Sequence, residues 1–204
     1  MDKENTKRTT EQLILEAART VFIRKGLEGA RMQEIANEAG INKALLHYYF
    51  RSKEKLFNHI FEKALAGMFD VINESIHKEG DVFAFIETFV DHYLSTLKEN
   101  PFIPNFIFNE INSHPERIHQ FSDKARLNFP GYKQMVEKNI KQNKIIAISP
   151  EHLLIDMLGM CVFPVLGRPI IEKVFFEDHP AGAENFLYER KQHIISFLKK
   201  ALQP

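Results

Sequence analysis

A chain of 204 residues, 44% of them hydrophobic, can hold one substantial helical unit, or a small domain and a larger one, with a properly buried core. Its 27 basic and 27 acidic side chains balance, so whole-protein electrostatics advertises no nucleic-acid partner, and the single Cys161 excludes an internal disulfide and fits a reducing cytoplasm. The polar start MDKENTKRTTEQ lacks the pattern of an export signal, and the longest apolar stretch, Leu153 to Gly167, contains Asp156 and Pro164 and is too short for a bilayer, so a cytoplasmic protein with no membrane partner is expected.

Nearly every segment has the periodicity of a helix, and the expected fold is all-α. Thr10 can cap a first helix in which Leu13, Ile14, Ala17, Ala18, Val21 and Phe22 form one apolar stripe, with Gly26 as its terminator. Next, Met32, Ile35, Ala36 and Ala39 mark one buried face, with small alanines where another helix must come close. Gly40 ends that helix, Ile41 can plug the corner, and Asn42 can cap the helix that follows at once. In that helix Leu45, Leu46, Tyr49 and Phe50 give an apolar side, leaving Lys43, Ala44, His47 and Tyr48 towards the outside or flank. Two short helices joined by so tight a turn read as a helix-turn-helix whose second helix lies in the DNA major groove.

From Lys53 a two-wide apolar stripe continues to about Lys78 in one long helix that links two domains, 1–53 and 54–204. Beyond the break at Gly80-Asp81, a helix from Val82 to Lys98 turns Phe85, Ile86, Phe89, Val90, Tyr93, Leu94 and Leu97 inward. A short helix follows Pro104, then a longer pattern from Pro115 to about Lys144 that Pro130-Gly131 should kink or interrupt. Ser149-Pro150 opens a helix through Val162, a loop holds Phe175-Phe176, and a last helix runs from about Ala183 to Leu202.

The order IANEAGINKALLHYYFRSKEKLF, preceded by AARTVFIRKGLEGARM, resembles the DNA-binding domain of the tetracycline-repressor (TetR) family of bacterial regulators over roughly residues 9 to 60. It departs from that family in having Asn42 where Ser or Thr is frequent, Ala44 where Gly or Pro is, and His47 where Tyr is. The resemblance implies a three-helix N-terminal DNA-binding domain joined to a larger helical domain for ligand binding and dimerisation.

The expected DNA-binding residues are Arg31, Gln33, Asn42, Lys43, Ala44, His47, Tyr48, Tyr49 and Lys53. Lys43 can reach phosphate or guanine, His47 a base edge, and Arg31 and Gln33 the duplex beside the positive end of their helix. By resemblance, Tyr49 and Lys53 are backbone contacts. Eighteen phenylalanines and no tryptophan make a second signal. Phe85, Phe89, Tyr93, Phe102, Phe106, Phe121, Phe129, Tyr132, Met135, Met157 and Met160 could line an apolar cavity for an unidentified small-molecule effector, although an inward phenylalanine is more often plain core.

The last two helices, with Leu154, Leu158, Cys161, Val162 and Val165, then Phe186, Ile194, Phe197 and Leu198, offer more apolar surface than one side of a bundle needs. Resemblance to the family implies that they form a four-helix homodimer interface, and a two-fold pair of reading heads would bind a palindromic operator on double-stranded DNA. No cofactor, metal site or catalytic residue is expected. His114 with His119 and His152 with Asp156 stand in no metal signature, and no phosphate loop or nucleophile elbow is present. The functional expectation is a homodimeric repressor released by a small, largely apolar ligand. The alternatives are a ligand-independent DNA-binding protein acting structurally or through a protein partner and, more remotely, a helical enzyme or carrier.

Overall fold

Ten α-helices account for the regular structure of residues 9–116, 127–177 and 180–204, the parts of the chain described by this computed structural model. Among them there is no strand. The first helix, α1 (Thr10–Gly29), is capped one residue earlier than the sequence pattern suggests: Thr9 accepts from the Gln12 backbone N–H while the Gln12 side chain accepts from that of Thr9. This reciprocal box satisfies two amides that the first turn would leave unpaired. Gly26 breaks α1, as its sequence implies, its φ and ψ lying outside the helical region. At φ 67° and ψ −178° it separates the main helix from a short helical segment that runs on to Gly29.

The helices α2 (Met32–Glu38) and α3 (Lys43–Tyr49) are joined by a turn centred on Gly40. Gly40 adopts φ 67°, its N–H donates to the Asn37 carbonyl at 3.1 Å, and the Ile41 N–H donates to the Ala36 carbonyl at 3.0 Å. Those two bonds define the left-handed helix stop that glycine adopts at least cost. Asn42 then caps α3 with its Oδ1 on the Leu45 N–H at 2.8 Å.

The long helix α4 (Lys53–Glu79) starts at Ser52, whose Oγ accepts from the Lys55 N–H. It is followed by α5 (Val82–Glu99) and α6 (Ile103–Ser113). By contact the described residues divide into two compact units: 9–65 with 106–116, and 66–105 with 127–177 and 180–204. The division falls inside α4, and again inside α6.

In the first unit Ile14, Ala18, Val21, Phe22, Ile35, Ala36 and Leu46 are buried along with Leu56, Phe57 and Phe61 of α4. Phe22 meets Phe57 edge-on at 5.0 Å between ring centroids, and Phe106 of α6 packs against both Phe57 and Phe61, at 5.4 and 5.7 Å. Such pairs add to the burial of the rings, each ring being worth about 2 to 3 kcal/mol.

In the second unit the inward row of α5 packs against α7 (Phe129–Lys141), α8 (Pro150–Leu166) and α10 (Pro180–Leu202). Asp81 caps α5, its Oδ1 accepting from the Phe83 and Ala84 amides at 2.9 and 3.2 Å. The buried Asn139 of α7 donates to the carbonyls of Met135 and Gly80. Pro130 does not kink a long helix. It lies in the first turn of α7, where a missing N–H costs nothing, and Asn128 caps that turn. The first part of the expected 115–144 pattern falls on residues 117–126, outside the described residues.

Ser149 caps α8 as its sequence implies. Where a loop is expected, the chain forms a further helix, α9 (Arg168–Phe175), bent 70° from α8. Among the described residues no single helix is long and apolar enough to cross a membrane.

Candidate nucleic-acid interface

Leu46 anchors α3. It is fully buried, and its position in the helix leaves Lys43, Ala44, His47 and Tyr48 exposed together. Tyr48 is 80% exposed, an unusual place for an aromatic ring of that size unless it meets a partner. Tyr49, expected on the apolar side, is also exposed, with its ring edge-on to that of Tyr48 at 5.6 Å. Only seven residues make up α3, so its apolar side needs little more than Leu46, with Leu45 and Phe50 half-buried.

Arg31 is the N-cap residue of α2, makes no side-chain cap bond and is exposed. Beside it, Gln33 donates to the Asn37 side chain at 2.9 Å. With Lys25, Gly29 and Glu34 these residues rim a shallow depression in the surface. Glu34 receives hydrogen bonds from Arg24 and Lys25 of α1 at 3.0 and 2.9 Å. The Lys25 bond acts most strongly and, with the charges of Lys25 and Arg24 and the Arg24 bond, holds the Glu34 carboxyl below its ordinary range against the opposing effect of burial. Two of the head's cations are thereby committed to joining α1 to α2, whereas Arg31 and Lys43 point their charge at solvent. Lys53, half-buried at the start of α4, donates to the Glu28 carbonyl at 3.4 Å.

A short stem, a glycine-closed turn and an exposed second helix carrying a cation, a histidine and two tyrosines is a geometry built to enter a groove. Residues 14–60 match the family described as bacterial regulatory proteins, tetR family. Over these residues the chain belongs to the TetR family. The nucleoid occlusion factor SlmA of Pasteurella multocida is 22% identical over 164 residues, covering 78% of this chain and 81% of its own. The HTH-type transcriptional regulator YfiR of Bacillus subtilis is 34% identical over 86 residues, 42% of each chain. Among solved structures, HlyIIR, a hemolysin II transcriptional regulator, superposes with a TM-score of 0.66 at 24% identity, covering 96% of this chain and 97% of that one. As a TetR-family protein the chain is a DNA-binding transcriptional regulator.

The residues expected to line a ligand cavity are dispersed. Phe85, Phe89, Tyr93, Tyr132, Met135 and Met157 lie together in the core of the second unit, with Phe129 and Met160 packed at its margin. Phe102 is 58% exposed, Phe106 belongs to the core of the first unit with Phe57 and Phe61, and Phe121 lies outside the described residues. Within the core, stacked contacts run from Tyr93 to Phe89 at 5.0 Å and on to Phe85 at 5.9 Å, and Phe85 meets Tyr132 at 5.3 Å. Burial pushes both tyrosine hydroxyls well above their ordinary range, with the charges of Cys161 beside Tyr93 and Glu151 beside Tyr132 acting in the same direction. Burial also raises the Cys161 thiol, to about 12, against the pull of the Arg190 cation.

Of the residues expected at a dimer interface, Leu154, Cys161, Val162, Ile194 and Leu198 are buried within their own unit, while Leu158, Val165 and Phe186 are half-buried and Phe197 is exposed. The apolar side chains that α8 and α10 leave in solvent include Ile155, Phe163 and Tyr188, a neighbouring face that an apolar stripe alone does not separate from the inward one. On α9, Ile170, Val174 and Phe175 are likewise exposed. His114 pairs with Glu116 at 3.4 Å, and among the described residues no group of three histidine, cysteine or acidic side chains could hold a metal.

Proposed function

We propose that this regulator is a homodimeric repressor that binds a palindromic operator and is released from it by a small, largely apolar ligand. The observation that carries the DNA reading is the exposure of Lys43, Ala44, His47 and Tyr48 on one side of α3 while Leu46 is locked in the core. Arg31, Gln33, Tyr49 and Lys53 flank that surface and suit phosphate contacts, and Asn42 fixes where α3 begins. Such contacts orient the head, while Lys43 and His47 discriminate bases.

One head makes too few contacts for tight specific binding. A two-fold pair would occupy successive major grooves about 34 to 36 Å apart. The apolar side chains exposed on α8, α9 and α10 support a self-complementary interface, because patches of this kind are uncommon on monomers. Chain positions 1–53 act as the arm and reading head and 54–204 as the domain for ligand binding and dimerisation. Ligand binding among the aromatic residues of the second unit would act through α4, whose residues are shared between the units. Only a difference in ligand affinity between two conformations can do this, and coupling of about 1 to 3 kcal/mol weakens operator binding some 5- to 150-fold.

Selection of bound duplexes from a random pool, at salt high enough to suppress non-specific phosphate binding, tests the reading. A palindrome with half-sites one turn apart is the expected result, and the absence of any enriched motif would overturn it.

A further inference from the structure

Tyr93 Oη, in the core of the second unit, and Nε of the half-buried Arg190, whose guanidinium lies over the Phe186 ring at 5.9 Å, are buried without a hydrogen-bond partner among the described residues. The helices that carry them are held in register: α10 packs on α5, and Lys191, next to Arg190, pairs with Asp91, two residues before Tyr93. Cys161 enters from α8, which packs on both, and is fully buried. The Arg190 cation acts electrostatically on the Cys161 thiol, and Cys161 on the Tyr93 hydroxyl. Tyr93 itself is 1% exposed. From this polar end the rings of Phe89 and Phe85 lead away along α5.

A phenolic O–H and a guanidinium N–H are both donors, and the guanidinium is never neutral in a protein. Buried donors without partners are rare and call for an acceptor, preferably an anionic one where a donor belongs to a cation. We propose that the effector of this protein is an organic acid with an apolar body, its carboxylate accepting from Tyr93 Oη and Arg190 Nε and its body lying against Phe89 and Phe85. A carboxylate matches both donors with its two oxygens and compensates the cation. A neutral alcohol or ester of the same body does only the first. This inference rests on the reading of the second unit as a ligand domain and narrows it to a chemical class.

The test uses the full chain, the duplex it selects, and matched pairs of probes: 4-phenylbutyrate with 4-phenylbutanol, and decanoate with decanol. Binding is followed by the shift in unfolding midpoint and operator release by fluorescence polarisation. At least one acid should raise the midpoint and release operator, with its alcohol at least tenfold weaker. Tyr93→Phe and Arg190→Met should each weaken the acid tenfold or more while keeping operator affinity. Tyr93→Phe removes one oxygen from a packed ring, so its fold should survive even if that of Arg190→Met does not. Equal response to acid and alcohol, undiminished acid binding by folded Tyr93→Phe, or no response to either acid would each overturn the proposal. Failure of the wild-type chain to select any operator would overturn the regulator reading instead.

Discussion

The ring of Phe106, on α6, lies 5.4 Å from that of Phe57, on α4, and 5.7 Å from that of Phe61. A residue far along the chain from the helix-turn-helix thus completes the core of the unit that contains it. Truncation to alanine removes both ring contacts and opens a cavity, so Phe106→Ala should destabilise by about 3 to 5 kcal/mol. Denaturant unfolding followed by circular dichroism measures it, and a loss below ~1 kcal/mol would show that α6 contributes little there.

On the proposed reading face, Lys53→Ala should weaken binding to all duplexes alike and reduce the salt slope by about one, because the role proposed for it is a phosphate contact. His47→Ala should instead change which base is preferred at one position of each half-site. Polarisation titrations against the selected operator and its single-base variants distinguish the two. Wild-type behaviour in both variants would mean that α3 does not face DNA.

The cap of α3 offers a test of local structure. Asn42 Oδ1 holds the Leu45 N–H at 2.8 Å, and Asn42→Ala leaves that amide unpaired at a cost of about 1 kcal/mol. Because α3 is so short, fraying of its first turn should appear as weaker operator binding as well as a lower unfolding midpoint. Asn42→Ser, which can restore the cap, should recover most of both.

Gly40 stands at φ 67°, and a Cβ placed there would meet nothing within 4 Å. The cost of Gly40→Ala is therefore backbone strain alone, about 1 to 2 kcal/mol. Crowding would add to this figure, so a measured loss well above ~2 kcal/mol would point to a rearranged turn.

Asp81 supplies a dependence on pH. Burial works to raise its pKa, but the Ala84 and Phe83 amides and the Lys144 cation together carry it below the ordinary 3.8. A carboxyl depressed on folding stabilises the native state above its unfolded pKa and loses that contribution as pH falls through the folded one. The stability gap between wild type and Asp81→Asn should be widest above roughly pH 5 and close below the ordinary carboxylate range near pH 4. A gap independent of pH would mean that the cap works equally well uncharged.

The helical character and the reading turn were legible because periodicity and punctuation coincide there: Ile35 and Ala36 face inward, Gly40 stops α2 and Asn42 starts α3. The inward row of α5 and the Ser149 cap of α8 are legible for the same reason. Elsewhere local pattern underdetermines structure. Pro130 can kink a helix or begin one, and only the cap at Asn128 decides. The helix α9 is short, with Gly167 and Pro169 at its start, so it resembles a loop in sequence. Phe106 reads as a pocket residue because nothing local shows which unit its ring will enter. Cys161 and Ile194 are apolar and helical, but whether they face their own core or a second copy depends on a rotation of one position along the helix. That the helices of Tyr93 and Arg190 pack together has no local signature, since about a hundred residues separate the two.

The distribution of tyrosines has a spectroscopic consequence. With no tryptophan among 204 residues, the ultraviolet emission of the protein comes almost entirely from five tyrosines. Tyr48, Tyr49 and Tyr188 lie in solvent, whereas Tyr93 and Tyr132 are shut away in the second unit. A water-borne quencher such as iodide reaches the first group and not the second. The chain therefore carries two optically separable sets of reporters, and under the proposed function a duplex over α3 would change the first and a guest in the core the second, with no label needed.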